Sequence, residues 1–281
     1  MAMSIPFGVL FILLALFGTN VGASGVYSFG PVNQRSPSLT AQYWNPILEY
    51  VSQRSGVRLE LQVASTGDRS SEATVTGRYD FVYNNHQFKP SATSQGYSAI
   101  LRPRAADIVA QIVTLDESTF RSLLDLRGKT IGFAHPQAFA GYAVPMDQLV
   151  RQGVEVVPVF GGSQQGIMGQ LKSGNVIAAG VNGTVMREFA ARENLRYRIL
   201  WESPPYRELA ISVHPRVPLK DVEAVRNAFA GMADDPAGRQ VLEASAGKIN
   251  QKPPYGFHPA TQKDYQAYLD FYLHSVFKDA D

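Results

Sequence analysis

Apolar positions along the chain switch between two periods. Strand-length apolar or alternating runs occupy Val26–Val32, Val57–Ala64, Tyr79–Tyr83, Ile108–Thr114, Thr130–Ala134, Val154–Phe160, Val176–Val181, Arg198–Trp201 and Leu209–Val213. Between them the spacing turns helical. In Leu39–Ser55, Trp44, Ile47, Leu48 and Val51 recur at three- and four-residue steps, and Gly56 supplies a stop. Phe139–Gln152, Gln164–Ser173 and Thr184–Glu193 also read as helices, and the chain beyond Val213 is mainly helical. Pro46 predicts an interruption of the first helix, or a start close to it. Strands alternating with helices predict βαβ units, and hence α/β lobes with mainly parallel sheets flanked by helices.

A length of 281 residues suggests two domains, yet no Pro/Gly/Ser-rich linker separates two halves. Two lobes joined by crossing strands satisfy both facts, and Asp107–Thr114 and Leu209–His214 are the candidate crossings. The first lobe is then discontinuous, residues 24–108 with 209–281, and the second is 109–208.

The run Gly8–Gly18 is apolar but about half the roughly 20 residues that a spanning helix needs. Its length suits the core of a secretory leader, and the small residues Val21 and Ala23 predict cleavage after Ala23. Residues 1–23 are therefore read as a signal peptide and the mature chain as periplasmic, the alternative being an uncleaved anchor or a buried first helix. Met1–Phe7 has no Lys or Arg, which departs from the usual pattern. No cysteine follows the run to carry a lipid.

Composition removes several classes of function. Lys+Arg number 26 against 24 Asp+Glu, so no strong field points to nucleic acid. With no cysteine, disulfides, thiolate zinc sites and thiol nucleophiles are excluded. No Gly-rich loop ends in Gly-Lys-Ser/Thr, and no G-x-G-x-x-G follows the first strand. Gly161–Gly166 falls short of a nucleophile elbow because position 165 is Gln. The five histidines, His86, His135, His214, His258 and His274, show no metal-ligand spacing and read as loop or surface residues. Asp234-Asp235 reads as a helix cap. No catalytic pair assembles, and neither a metal nor a cofactor is expected. What the pattern does offer is loops between a strand and a helix, at Ser65–Gly67, His135–Gly141 and Gly161–Gln164, whose free amides suit a small anion.

Several segments, taken in order, resemble the phosphate/phosphite/phosphonate-binding family of periplasmic proteins that serve ABC importers. They are Phe29–Val32 with Trp44–Val51; Gly77-Arg78-Tyr79-Asp80-Phe81-Val82-Tyr83-Asn84; Leu123–Phe133 with its D-L-x-G-K core; Ala138–Pro145; Trp201–Pro205; and Val213–Pro218. The resemblance implies a two-lobed type II periplasmic-binding-protein fold that closes on a small anionic ligand. The ligand would be phosphate, phosphite or a phosphonate, delivered by a monomer to an inner-membrane ABC permease. A second reading is a periplasmic sensor that docks on a membrane histidine kinase.

By position in that family, the ligand contacts fall on Tyr83 and Asn84 from the first lobe. Phe139, Ala140, Gly141, Gln164 and Asn182 come from the second, with Thr66 and Tyr206 as further candidates. The family's hydroxyl-rich Ser-Thr-Ser run is Ala138-Phe139-Ala140 here, and its ligand-side histidine falls on Gln164. Its acidic residues fall near Thr184 and near Glu208 or Leu209. Backbone amides at Phe139–Gly141 remain as donors, and Phe139 adds an apolar face.

Overall fold

The computed structural model describes Met1 and residues 25–277. The expected leader, beyond Met1, lies outside the described residues. In chain order the elements are β1 (Val26–Pro31), α1 (Pro37–Ser55), β2 (Arg58–Leu61), α2 (Gly67–Val75), β3 (Phe81–Asn84), β4 (Ser98–Pro103), β5 (Ala110–Leu115) and β6 (Thr130–Phe133). A π-helical turn, Phe139–Ala143, leads straight into α3 (Val144–Arg151). Then come β7 (Val157–Phe160), α4 (Gln164–Lys172), β8 (Ala178–Asn182), α5 (Gly183–Glu193), β9 (Tyr197–Glu202) and β10 (Ala210–Val213). The chain ends with α6 (Leu219–Gly231), α7 (Pro236–Ile249), β11 (Phe257–Pro259) and α8 (Gln266–His274).

The strands form two sheets, ordered β11-β4-β10-β3-β1-β2 and β7-β6-β8-β5-β9. Setting β11 aside, both repeat one plan: second strand, first, third, a reversed strand, fourth. The reversed strand is in each case the one arriving from the other lobe. β5 runs antiparallel to β8 and β9, and β10 antiparallel to β3 and β4. The two-lobed α/β architecture expected from the sequence is therefore present, with the reversed strands and β11, antiparallel to β4, as the departures from parallel pairing. Between the lobes the two crossing segments pair once, Ile108 N–H to the Tyr206 carbonyl and Tyr206 N–H to the Ile108 carbonyl, both at 2.8 Å.

Local sequence explains the elements that shape the cleft. Ser36 caps α1, its hydroxyl accepting from Leu39 N–H at 3.3 Å, and Gly56 ends it at φ 70°, a conformation that costs little without a Cβ. Pro46 does not break this helix, against the expectation. It sits on the exposed face, where water can satisfy the carbonyl one turn back. On the opposite face Trp44, Ile47, Leu48 and Val51 are buried against Phe29, Phe81 and Phe229. Each such side chain contributes about 1.5–3 kcal/mol on burial, enough to outweigh a lost helical bond. Helix α2 is a segment that apolar periodicity misses: it is polar, and its signal is the Thr66 cap with Asp68 in the first turn. Asp235 does stand at the cap position of α7, but its carboxylate accepts from the Tyr50 hydroxyl at 2.5 Å.

The carboxyl-terminal segment crosses between lobes. By sequence 209–281 belongs to the first lobe, yet Phe277 joins the core beneath β6, stacking edge-on against Tyr142 at 5.3 Å. Asp147 on α3 holds this end in place, accepting from the Ser275 hydroxyl at 2.9 Å and Val276 N–H at 2.7 Å.

Candidate functional site

The lobes meet face to face. Gln165 N–H donates to the Gln34 carbonyl at 3.0 Å, and Ser36 N–H donates to Gln165 Oε1 at 2.8 Å. Gly67 N–H reaches the Gly162 carbonyl at 3.3 Å, and His135 Nδ1 lies 3.7 Å from Asp68 Oδ1. Arg35 forms an ion pair with Glu188 across the gap, and Lys89 donates to Gln137. A Cβ on Gly67 would overlap the His135 ring, so this approach requires glycine. The state described is closed.

Two adjoining spaces share residues at the centre of the cleft, and a separate one of about 590 Å³ lies between α2 and Pro136-Gln137. Of the adjoining pair the smaller, about 30 Å³, is lined by Asn85, His86, His135, Ala138–Ala140, Gln164 and Asn182 among others. The larger, about 440 Å³, is bounded by Tyr43, Trp44, Tyr83, Arg35, Glu188 and Glu208, with α5 and the segment 249–254 completing it. Gln34 and Asn182 line both.

The small space is built from strand ends and helix starts. His86 follows β3, and His135 follows β6. The π-helical turn at Phe139 has first-turn amides with no acceptor inside the helix. Asn182 caps α5, its Oδ1 accepting from Thr184 N–H at 2.9 Å and Val185 N–H at 3.2 Å. Gln164 Oε1 accepts from Asn182 N–H at 3.1 Å. His86 is buried, and neither ring nitrogen has a hydrogen-bond partner among the described residues. Its ring centroid is 6.2 Å from that of His135, whose Nδ1 also makes no hydrogen bond. Burial pushes the His86 pKa well below its ordinary value, and the neighbouring His135 and Lys89 push the same way.

In the larger space Glu208 is buried, with Oε1 accepting from Leu209 N–H at 2.8 Å. Burial raises its pKa to about 7; the Leu209 N–H and Arg35 oppose this, while Glu188 and Asp107 add to it. Among the described residues no cluster of three His, Asp or Glu could hold a metal, and no helix is long and apolar enough to cross a membrane.

The family described as ABC transporter, phosphonate, periplasmic substrate-binding protein matches residues 29–265. The chain belongs to this family. As a member it is a solute-binding protein for ABC import of a small ligand. Among solved structures, PhnD1 of Prochlorococcus marinus in complex with methylphosphonate is similar at 15% identity, covering 87% of this chain and 96% of that one, with a TM-score of 0.73. The binding component of an ABC phosphonate transporter from Pseudomonas aeruginosa is similar at 16% identity, with coverage of 86% and 83% and a TM-score of 0.72. XAC2383 of Xanthomonas citri, solved bound to ATP, is similar at 19% identity, with coverage of 90% and 100% and a TM-score of 0.66. At these identities the likeness is one of fold. No curated protein matches the chain.

Within this binding protein the residues singled out by sequence scatter over several places. Phe139, Ala140, Gln164 and Asn182 line the small space, and Tyr83 and Asn182 the larger. Gly141 backs the small space; a Cβ there would overlap Gln164. Asn84 is turned into the first lobe, where its Nδ2 donates to Thr74 Oγ1 at 3.0 Å and its Oδ1 accepts from His86 N–H at 3.1 Å. Thr66 is exposed and caps α2 through Arg69 N–H, and it lines neither space. Tyr206 packs at the hinge.

The Phe139 ring is not offered to a ligand as expected. It packs against Tyr268, Tyr206 and Phe271 with centroids at 4.5, 4.8 and 5.0 Å, leaving its backbone to the cleft. The largest omissions were His86 and His135. Both were read as loop or surface residues, and both are buried and face each other across the lobes. A signal existed: each lies two residues past a strand whose carboxyl end points into the cleft, where ligands of α/β sheets bind.

Proposed function

We propose that this protein is the periplasmic component that captures a phosphorus oxyanion in the small interlobe space and presents it to an ABC permease. Export by the leader at residues 1–23 is part of the same reading. The observation that carries it is His86, buried with both ring nitrogens unpartnered and facing His135. A buried polar atom without a partner costs about 1–3 kcal/mol. An anion between the two rings offsets that cost and reverses the electrostatics, because negative charge favours the protonated imidazole that burial suppresses. Asn85 and the amides at the start of the Phe139 turn supply further donors. About 30 Å³ holds one or two waters, so a compact tetrahedral anion fills it with little further parting of the lobes. Closure then follows from binding, since the ligand bonds to both lobes at once. Uphill import draws its energy from ATP hydrolysis at the partner.

Titration calorimetry with inorganic phosphate, phosphite, methylphosphonate and sulfate tests the reading. At least one phosphorus oxyanion is expected to bind, and His86→Ala to weaken it at least tenfold. Absence of binding by all four, or an unchanged affinity in the variant, overturns it.

A further inference from the structure

The larger space has no use in binding a bare oxyanion. Its volume of about 440 Å³ lies within the range of about 300–1,000 Å³ typical of sites for whole organic molecules. It adjoins the small space, and Gln34 and Asn182 form a wall common to both. From the size and lining of this chamber we infer that the ligand is a phosphate monoester of an uncharged, hydroxylated body such as a polyol or sugar. The head would sit at His86 and the body would lie against Tyr43, Tyr83 and Glu208. This inference rests on the oxyanion reading of the same cleft and extends it.

Two independent observations favour that body. First, the chamber has unused hydrogen-bonding groups. Among the described residues the hydroxyls of Tyr43 and Tyr83 make no hydrogen bond, and one oxygen of Glu208 is engaged. Three such groups around one space suit a ligand that both donates and accepts, as hydroxyls do. Glu208, near the midpoint of its titration at neutral pH, can itself do either. The rings of Tyr43 and Tyr83 flank Trp44, with centroids at 5.1 and 4.8 Å, and give the carbon skeleton an apolar wall.

Second, the charges reject an ammonium group. Arg35, Arg187 and Lys252 line the chamber against Glu188 and a partly protonated Glu208. Arg35 and Glu188 already neutralise each other. Arg187 and Lys252 stand exposed at the mouth of the chamber and leave it positive there, which disfavours entry of a cationic body.

The test is calorimetry on the full chain with five probes: inorganic phosphate, methylphosphonate, 2-aminoethylphosphonate, sn-glycerol 3-phosphate and glucose 6-phosphate. One of the two esters is expected to bind at least tenfold more tightly than methylphosphonate. In a Tyr43→Phe/Tyr83→Phe variant, which keeps both rings, the ratio of ester to phosphate affinity should fall at least tenfold. If methylphosphonate or the aminoalkyl compound binds as tightly as either ester, or if the ratio survives in the variant, this inference is overturned while the oxyanion reading stands. If none of the five binds, the oxyanion reading fails and this inference with it.

Discussion

Replacing Glu208 with Gln should stabilise the protein in proportion to pH. The carboxyl is buried in the cleft wall, and burial raises its pKa from 4.5 to about 7. An acid with a raised folded pKa holds its proton more tightly in the folded chain than in the unfolded one. Between pH 4.5 and about 7 the folded state therefore carries the extra proton, and stability falls as pH rises through that window. At 1.36 kcal/mol per pH unit the full loss is about 3 kcal/mol, complete above pH 7 and absent below 4.5. Gln keeps an oxygen for the Leu209 N–H and has no proton to lose. Wild type and Glu208→Gln should thus melt within a degree or so of each other at pH 4.5. At pH 8 the variant should melt about 6–12 °C higher, given about 2–4 °C per kcal/mol for a chain of this size. Calorimetric scans at half-unit steps would trace the divergence. A constant difference at all pH values would refute the argument, because it would mean that Glu208 titrates alike in both states.

Arg35→Met would leave Glu188 buried without its partner whenever the lobes close. At about 3–5 kcal/mol for such a loss, ligand affinity should drop at least a hundredfold, with Arg35→Met/Glu188→Leu recovering most of it; titration calorimetry reads both. Gly67→Ala should hold the lobes apart through the clash with His135, so small-angle scattering should give a larger radius of gyration that ligand does not reduce. Asp147→Asn should free the carboxyl-terminal segment, visible as faster hydrogen exchange at Val276 and Phe277. Burial raises the Asp147 pKa, but Arg151, Val276 N–H and the Ser275 hydroxyl together hold it below the usual value. Its contribution of about 2 kcal/mol is therefore present above pH 3.8 and lost as pH falls further, which acid denaturation of the two proteins would show.

Much of the framework was legible because apolar periodicity reports burial directly. The strands at Phe81, Ile112, Ile131 and Val181 and the helix carrying Trp44 and Ile47 all bury their patterned positions. The crossing strands were legible for a different reason: two strands without a linker between lobes must carry the chain across. Elements held by polar groups were harder to see. Helix α2 has a Thr cap and few apolar residues, and the path of the last residues depends on Asp147, 128 positions away from Ser275. The site suffered most. Asn84 and His86 differ by two positions, yet the chain turns after β3 so that the first faces inward and the second faces the cleft. No local signal separates them. Phe139 likewise looked like a ligand-side substitution, and only the fold brings Tyr268 and Phe271 close enough to claim its ring.

The crossing of the carboxyl-terminal segment makes the molecule a natural transducer. Val26 opens β1 on one lobe and Val276 is anchored beside Asp147 on the other, and both side chains are exposed. Donor and acceptor dyes at these two positions would ride on opposite jaws without touching the cleft. Lobe motion would then appear as a change in energy transfer, turning the protein into a reagentless sensor for whatever solute it captures.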